Sequence, residues 1–393
     1  MKPSVKSSDS NSRQAGDTIS VRPEWTDAKR IVVKLGSALL TSAENGELQS
    51  DWLASLLDDV AALKKAGKEV VLVSSGSVAL GRQALGFEPG PLALEASQAA
   101  AAVGQISLAH AYQKLSEERG LIAAQILVTL GDTEERRRYL NARDTILNLL
   151  RLGTLPVVNE NDSVATVEIR YGDNDRLSAR VASMIDADCL VLLSDIDGLY
   201  TAPPYQDSNA RHIDVVEEIT PEIMAMAGDA GTSMAKGGMR TKIEAAKVAL
   251  AAGTDMVIMS GIARNPLSAL TAGARCTWFL APADPVTSRK RWLSGQLEPK
   301  GTITVDAGAE SALQAGKSLL PAGVTDVSGV FDRGDAVIIE SADGRELGRG
   351  LIAYNNRDAL LIKGQKSHDI PRILGFEGRA ELVHRDVLAV TRT

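Results

Sequence analysis

Aromatic residues make up 4% of this 393-residue chain, and cysteine occurs twice, at Cys189 and Cys276. So few aromatics weaken any case for a platform that stacks nucleic-acid bases. Two cysteines far apart, with no Cys-x-x-Cys, make neither a disulfide framework nor a zinc site, and they fit a reducing compartment. The four histidines, His110, His212, His368 and His384, are dispersed, and none lies beside a nucleophile or at a metal-ligand spacing. They read as surface or core residues rather than catalysts. Basic excess is also missing: the net charge of −7 argues against broad affinity for nucleic acids or acidic membranes. The first two dozen residues are polar and have no apolar centre. They are neither a signal peptide nor a membrane anchor, and residues 1–24 are expected to form a disordered tail.

Apolar material is ample, at 44%, and the length suggests two domains. Short continuous apolar runs predict strands at Arg30–Leu35, Val70–Val73, Ile122–Val128, Leu155–Val158, Cys189–Leu193 and Met256–Met259. Helical spacing separates them: Leu53, Leu56, Leu57, Val60 and Leu63 mark one face, with further helices at Ser77–Leu85, Ala93–Arg119 and Glu134–Leu150. Buried strands alternating with helices indicate a largely parallel sheet covered on both faces. Ligands of such sheets bind beyond the carboxyl ends of the strands. Polar clusters stand at those ends: Lys34–Ser37, Ser74–Gly76, Asn159–Asp162 and Ser194-Asp195. After Phe279 the pattern changes. A linker is expected at 281–299, between a domain at 25–280 and a small β-rich one at 300–393. Short runs at Thr302–Val305, Ala336–Glu340, Leu351–Tyr354, Ala359–Ile362 and Ala380–Val383 read as strands.

Three features carry chemistry. In Lys236-Gly237-Gly238-Met239-Arg240-Thr241-Lys242, adjacent glycines let backbone N–H groups approach an anion, and Ile243, Ala246 and Leu250 continue as a helix. Such a helix N-terminus suits a phosphate, although a solvated surface loop reads the same way in isolation. Lys34 ends an apolar strand, where burial without a partner is costly; it either snorkels at an edge or joins Lys242 around a transferring phosphoryl group. Asn159-Glu160-Asn161-Asp162 and Gly172-Asp173-Asn174-Asp175 bracket a β-like segment, Val164–Arg170. Amides and carboxylates this dense suit Mg2+ or the ammonium of an amino acid, and equally suit turns. Familiar nucleotide motifs fail: Gly316-Lys317-Ser318 lacks the earlier P-loop glycine, and Gly348-Arg349-Gly350 does not open a helix.

Together with Val73–Gly76, Asn141-Ala142-Arg143-Asp144-Thr145, Pro156–Asp162 and Ser194–Tyr200, these motifs resemble the amino acid kinase family from about Arg30 to the C-terminus. The paired Asn/Asp motifs, and a C-terminal part that looks like a PUA domain, resemble the members that phosphorylate the γ-carboxylate of L-glutamate in the first step of proline biosynthesis. The resemblance implies an α/β fold, a three-layer αβα sandwich with a largely parallel sheet, plus a small β-barrel-like PUA domain. It implies ATP and Mg2+ as cofactors, with Lys34 and Lys242 stabilising the phosphoryl group and Asp195 holding those lysines. Ser75, Asp162 and Asn174 would bind glutamate. Lys34, Ser194, Asp195 and the loop from Lys236 to Lys242 would bind ATP. Family members often carry threonine where this chain has Lys236. Proline feedback inhibition, a homo-oligomer, a cytoplasmic location and hand-over of the product to glutamyl phosphate reductase are also implied. Two rival readings remain. One is a sibling kinase acting on another carboxylate. The other is an RNA-binding or regulatory protein acting through the PUA domain; for RNA, 12 Lys and Arg against 13 Asp and Glu from Lys300 onward give no basic field.

Overall fold

The computed structural model describes residues 25–42, 46–164, 174–227, 238–282, 299–376 and 378–390. The expected tail at 1–24, residues Lys236 and Gly237, the segment 165–173 and most of the expected linker lie outside the described residues. The strands are β1 (Arg30–Leu35), β2 (Glu69–Val73), β3 (Ala123–Val128), β4 (Leu155–Glu160), β5 (Cys189–Ser194), β6 (Leu199–Tyr200), β7 (His212–Ile213), β8 (Val215–Val216), β9 (Asp255–Ser260) and β10 (Cys276–Phe279). The large sheet has eight strands in the order β3-β4-β2-β1-β5-β9-β10-β8, and β6 and β7 form a separate ribbon. From β3 to β9 every neighbouring pair is parallel, and β10 runs antiparallel to β9.

Alternation along the strands sorts side chains between two cores. Ile31, Val33 and Leu35 of β1 face one core with Val70, Leu72, Val191 and Leu193. Val32 faces the other, with Val71, Val73, Leu190 and Leu192. This is the period of two expected of a strand buried on both faces. Helix Ser50–Lys65 covers the first face through Leu53, Leu56, Leu57 and Val60. Helices Arg136–Arg151, Asn174–Met184 and Met239–Ala251 cover the second, through Ile146, Leu177, Val181, Ile243 and Ala246. The result is the expected three-layer sandwich.

Beyond it lies a five-stranded sheet of β11 (Gly301–Val305), β12 (Val324–Gly329), β13 (Ala336–Ser341), β14 (Glu346–Ile352) and β15 (Val383–Val390), in the order β12-β11-β13-β14-β15. It has its own core around Ile303, Val337, Ile339 and Ile352. The β13–β14 turn uses Gly344 at φ +82°, the conformation for which glycine has no steric cost. Ala359–Ile362, expected as a strand, is instead part of helix Asn356–Ile362. Its cap residue Asn355 accepts a hydrogen bond from Asp358 N at 2.8 Å, and a capped first turn decides a short apolar run in favour of helix. The expected helix at Glu134–Leu150 is two, Leu130–Glu134 and Arg136–Arg151, because Glu135 turns extended at ψ +116°.

Candidate active site

Lys34 stands at the end of β1, two residues beyond Val32 and on the same face of the sheet. That face is the one covered by helices Asn174–Met184 and Met239–Ala251, so the lysine runs beneath their N-terminal turns. Its Nζ lies 2.6 Å from Asp175 Oδ1. Lys242, in the first turn of its helix, places Nζ 3.3 Å from the other oxygen of the same carboxylate. Thr241 donates its hydroxyl to Asp175 Oδ2 at 2.9 Å. Asp175 is wholly buried and both lysines are nearly so, at 8% and 5% exposure. Burial by itself pushes the Asp175 carboxyl up, and the two ammonium groups and the Thr241 hydroxyl bring it below its ordinary value. Two cations on one carboxylate leave the trio with a net positive charge at the carboxyl ends of the central strands, where an anion is attracted.

The residue between the lysines is therefore Asp175 and not the expected Asp195. Asp195 is exposed at the end of β5 and accepts a hydrogen bond from its neighbour Ser194 at 2.9 Å. The difference is topological: Asp175 begins a helix laid over β1, whereas Asp195 follows a strand and leaves the sheet plane.

A second cluster adjoins the first. Asn174 Nδ2 donates to Ser75 Oγ and to Ser74 O, both at 2.8 Å. Asn174 Oδ1 is buried and meets no hydrogen-bond partner among the described residues, so it offers an acceptor to a ligand. Asn159 is 1% exposed and is fixed by Gln105 through its Nδ2 at 2.7 Å. Its Oδ1 accepts from Glu160 N at 2.9 Å. Asp162 opens the short turn Asp162–Val164 and accepts from Ser77 Oγ at 3.1 Å. Burial raises its carboxyl above the ordinary value, and the Ser77 hydroxyl partly counters this. Gly76, at φ +98°, makes the sharp turn that puts Ser75 on one side and Ser77 on the other.

The structure thus brings together Lys34, Lys242, Asn174 and Ser75 directly, with Asp162 reached through Ser77. Gly238, Met239, Arg240 and Thr241 lie at the start of their helix, with Gly238 as a cap lacking a side chain. That leaves first-turn N–H groups for a ligand. Ser77, Asn159 and Asp175 escape sequence reasoning as individuals. Only the density of the Asn/Asp motifs points at the last two, and no local signal distinguishes Ser77 from its serine neighbours.

A sequence model of the amino acid kinase family matches residues 29–260, and one of the PUA domain matches residues 301–374. The chain is similar to a glutamate 5-kinase of Bradyrhizobium diazoefficiens, 61% identical over 368 residues, covering 94% of this chain and 99% of that protein. A glutamate 5-kinase of Rhodopseudomonas palustris is likewise 61% identical over 368 residues, at 94% and 98% coverage.

Proposed function

Because the chain belongs to the amino acid kinase family, and within it to the glutamate 5-kinases, we propose that the buried trio Lys34, Asp175 and Lys242 carries phosphoryl transfer from ATP to the γ-carboxylate of L-glutamate. The observation that supports this placement is the pair of ammonium groups sharing one buried carboxylate at the carboxyl end of the sheet. The reaction needs no catalytic histidine. A γ-carboxylate with a pKa near 4.3 is already an anion at neutral pH. Its oxygen attacks the γ-phosphorus, the bond from that phosphorus to the bridging oxygen breaks, and ADP leaves with the electron pair. The barrier comes largely from repulsion between carboxylate and triphosphate, which Lys34 and Lys242 offset. Asp175 keeps both ammonium groups aimed at one place.

Glutamate's amino-acid end falls to the adjoining cluster. The Asp162 carboxylate and Asn174 Oδ1 accept from the α-ammonium, and Ser75 is held in place by Asn174. On the nucleotide side are Ser194, Asp195 and the loop from Lys236 to Lys242, of which Lys236 and Gly237 lie outside the described residues. Among the described residues no cluster of three His, Cys, Asp or Glu side chains is arranged to cage a metal. Mg2+ carried by the triphosphate would take most of its ligands from phosphate and water and would need no such cage. Bound there, the ion would supply charge neutralisation, with the exposed Asp195 the acidic group at hand.

The proposed domains are the kinase at 25–280 and the PUA domain at 300–393, joined through 281–299. No helix among the described residues is long and apolar enough to cross a membrane. A cytoplasmic location is proposed from the family's place in proline biosynthesis. The product is an acyl phosphate, which water destroys readily, and this favours hand-over to glutamyl phosphate reductase. Proline inhibition and a homo-oligomer are proposed from the family, to be checked by adding proline to the assay and by sedimentation.

Hydroxylamine trapping of the acyl phosphate, with ATP, Mg2+ and a panel of amino acids, tests the reading. Glutamyl hydroxamate is the expected product. Hydroxamate from aspartate and none from glutamate would reject the substrate.

A further inference from the structure

The motif Asn141-Ala142-Arg143-Asp144-Thr145 takes no part in the phosphotransfer site, yet two of its residues make long-range bonds in different directions. It lies in helix Arg136–Arg151. Arg143 is 4% exposed. Its Nε donates to Met184 O at 3.0 Å and its Nη2 to Asp186 Oδ2 at 3.1 Å. Met184 is the last residue of the helix that begins with Asn174 and Asp175. The final carbonyls of a helix lack partners within it, and a cationic donor suits that end of the dipole. Asp186 holds φ at +57°, a conformation unfavourable for a residue with a side chain, and the Arg143 pairing helps to hold it there.

Arg30 reaches the same turn, donating to Ile185 O. It opens β1, four residues before Lys34. Strand and helix run in opposite directions and are tied at both ends, by Lys34–Asp175 at the site and by Arg30 at the far turn. The helix has 11 residues, so these ties stand about 16 Å apart. A rod fastened in this way carries a displacement of its far end to Asn174 and Asp175.

Asp144, next in sequence to Arg143, points about 100° around the helix from it and binds the C-terminal domain. It pairs with Arg333 at 3.1 Å and with Arg379. Leu140, from the same helix, is buried in that domain's core and Tyr139 packs against it. The helix is separated from the short one before it by the extended Glu135, so it is seated between two supports, the kinase sheet through Ile146 and Leu150 and the C-terminal domain through these contacts.

We propose that Arg143 and Asp144 are positioning residues for phosphoryl transfer: Arg143 fixes the far end of the helix presenting Asn174 and Asp175, and Asp144 latches that clamp to the C-terminal domain through Arg333 and Arg379. The inference rests on the assignment of Asn174 to glutamate and of Asp175 to the lysine pair. It gives the C-terminal domain a mechanical part in the kinase reaction that needs no ligand of its own.

The test uses the full chain in the hydroxamate assay, with D144N, the double variant R333A/R379A, the triple combination and R143K. R143K keeps the charge and loses the planar fork that serves two acceptors. D144N and R333A/R379A are each expected to lower kcat and raise the glutamate KM by roughly 2- to 30-fold, the span of couplings carried through packed networks. The ATP KM should rise less than the glutamate KM, because Asn174 meets glutamate directly, whereas the nucleotide is also held by Ser194, Asp195 and the N-terminal turn of helix Met239–Ala251, which lie on other elements. The triple variant should be no worse than either parent, since all remove one latch. R143K should show the same split between substrates. If it does not fold, the latch variants, whose substitutions are partly exposed, decide the matter. Wild-type constants in folded D144N and R333A/R379A, equal losses for ATP and glutamate, or multiplicative losses in the triple variant would overturn the latch. If wild-type protein yields no glutamyl hydroxamate, the kinase assignment itself fails, which is a different result from an active enzyme indifferent to its latch.

Discussion

Asp175 concentrates the electrostatics of the site, and its removal has two separable consequences. Asp175→Asn leaves two buried ammonium groups without their carboxylate, and breaking a buried pair from one side costs about 3–5 kcal/mol. Urea unfolding at neutral pH should show a loss of that order. The acid side of the stability curve follows from the depressed carboxyl. As pH falls, the unfolded chain takes up the proton first. The stabilisation from Asp175 is therefore complete above the ordinary carboxylate pKa near 3.9 and is lost as pH falls through the folded value. The asparagine variant should lack that part of the acid slope. Asp162 has the opposite sign, its carboxyl being raised by burial. It takes up a proton at a higher pH than an exposed aspartate, so glutamate KM should climb as pH falls toward its raised value, and should do so less steeply in Asp162→Asn. Lys34→Ala or Lys242→Ala should cost roughly 100- to 1000-fold in kcat, by analogy with removing one oxyanion donor. Near wild-type turnover in a folded variant would dismiss that lysine. Both lysines were legible in the chain, because a charge at the end of an apolar strand or after paired glycines is locally anomalous. The choice between Asp175 and Asp195 was not, since each sits in an acidic, polar stretch and only the path of the backbone separates them.

Helices and strands were legible to the extent that one periodicity dominated. The central strands, each a run of buried aliphatics, appear where expected. Helix Asn174–Met184 escaped because the turn chemistry of Gly172–Asp175 overlies its first residues, although Leu177, Val181 and Met184 keep helical spacing and are all buried. A pair of glycines governs another packing. A Cβ on Gly104 would collide with Ser77 O, and one on Gly81 would collide with Ala100 O. Helices Ser77–Ala84 and Leu94–Glu117 can therefore approach backbone to backbone, which holds Ser77 against Asp162. Gly104→Ala should destabilise by about 1–3 kcal/mol, the usual cost of overpacking. By moving Ser77 it should also raise glutamate KM more than ATP KM. A stable Gly104→Ala protein with wild-type KM would show that the close approach is not needed for the site. The glycines of Gly348-Arg349-Gly350 have a similar use: they lie in β14, where a Cβ on Gly348 would strike Ala389 O, and they form no nucleotide loop.

Across the whole molecule, the site is assembled from segments far apart in the chain, so ligands that bridge them should stabilise the fold. A non-hydrolysable ATP analogue at about 100 times its Kd should add about 2.7 kcal/mol, read as a rise in the thermal midpoint. Lys242→Ala, which removes one pole of the site, should blunt that rise. The sequence by itself determined the class of the fold, the carboxyl strand ends where the proposed site lies and the family to which the chain belongs. These rest on local properties: runs of buried aliphatics, glycines before a helix and polar residues at strand ends. Tertiary structure alone decided which carboxylate joins the two lysines, which serine supports Asp162 and what Arg143 and Asp144 hold. Lys242 and Asp175 are 67 residues apart, and Arg379 and Asp144 are 235 apart. At such separations the partner of a charge is set by how helices lie across the sheet, a matter of packing that no local pattern encodes.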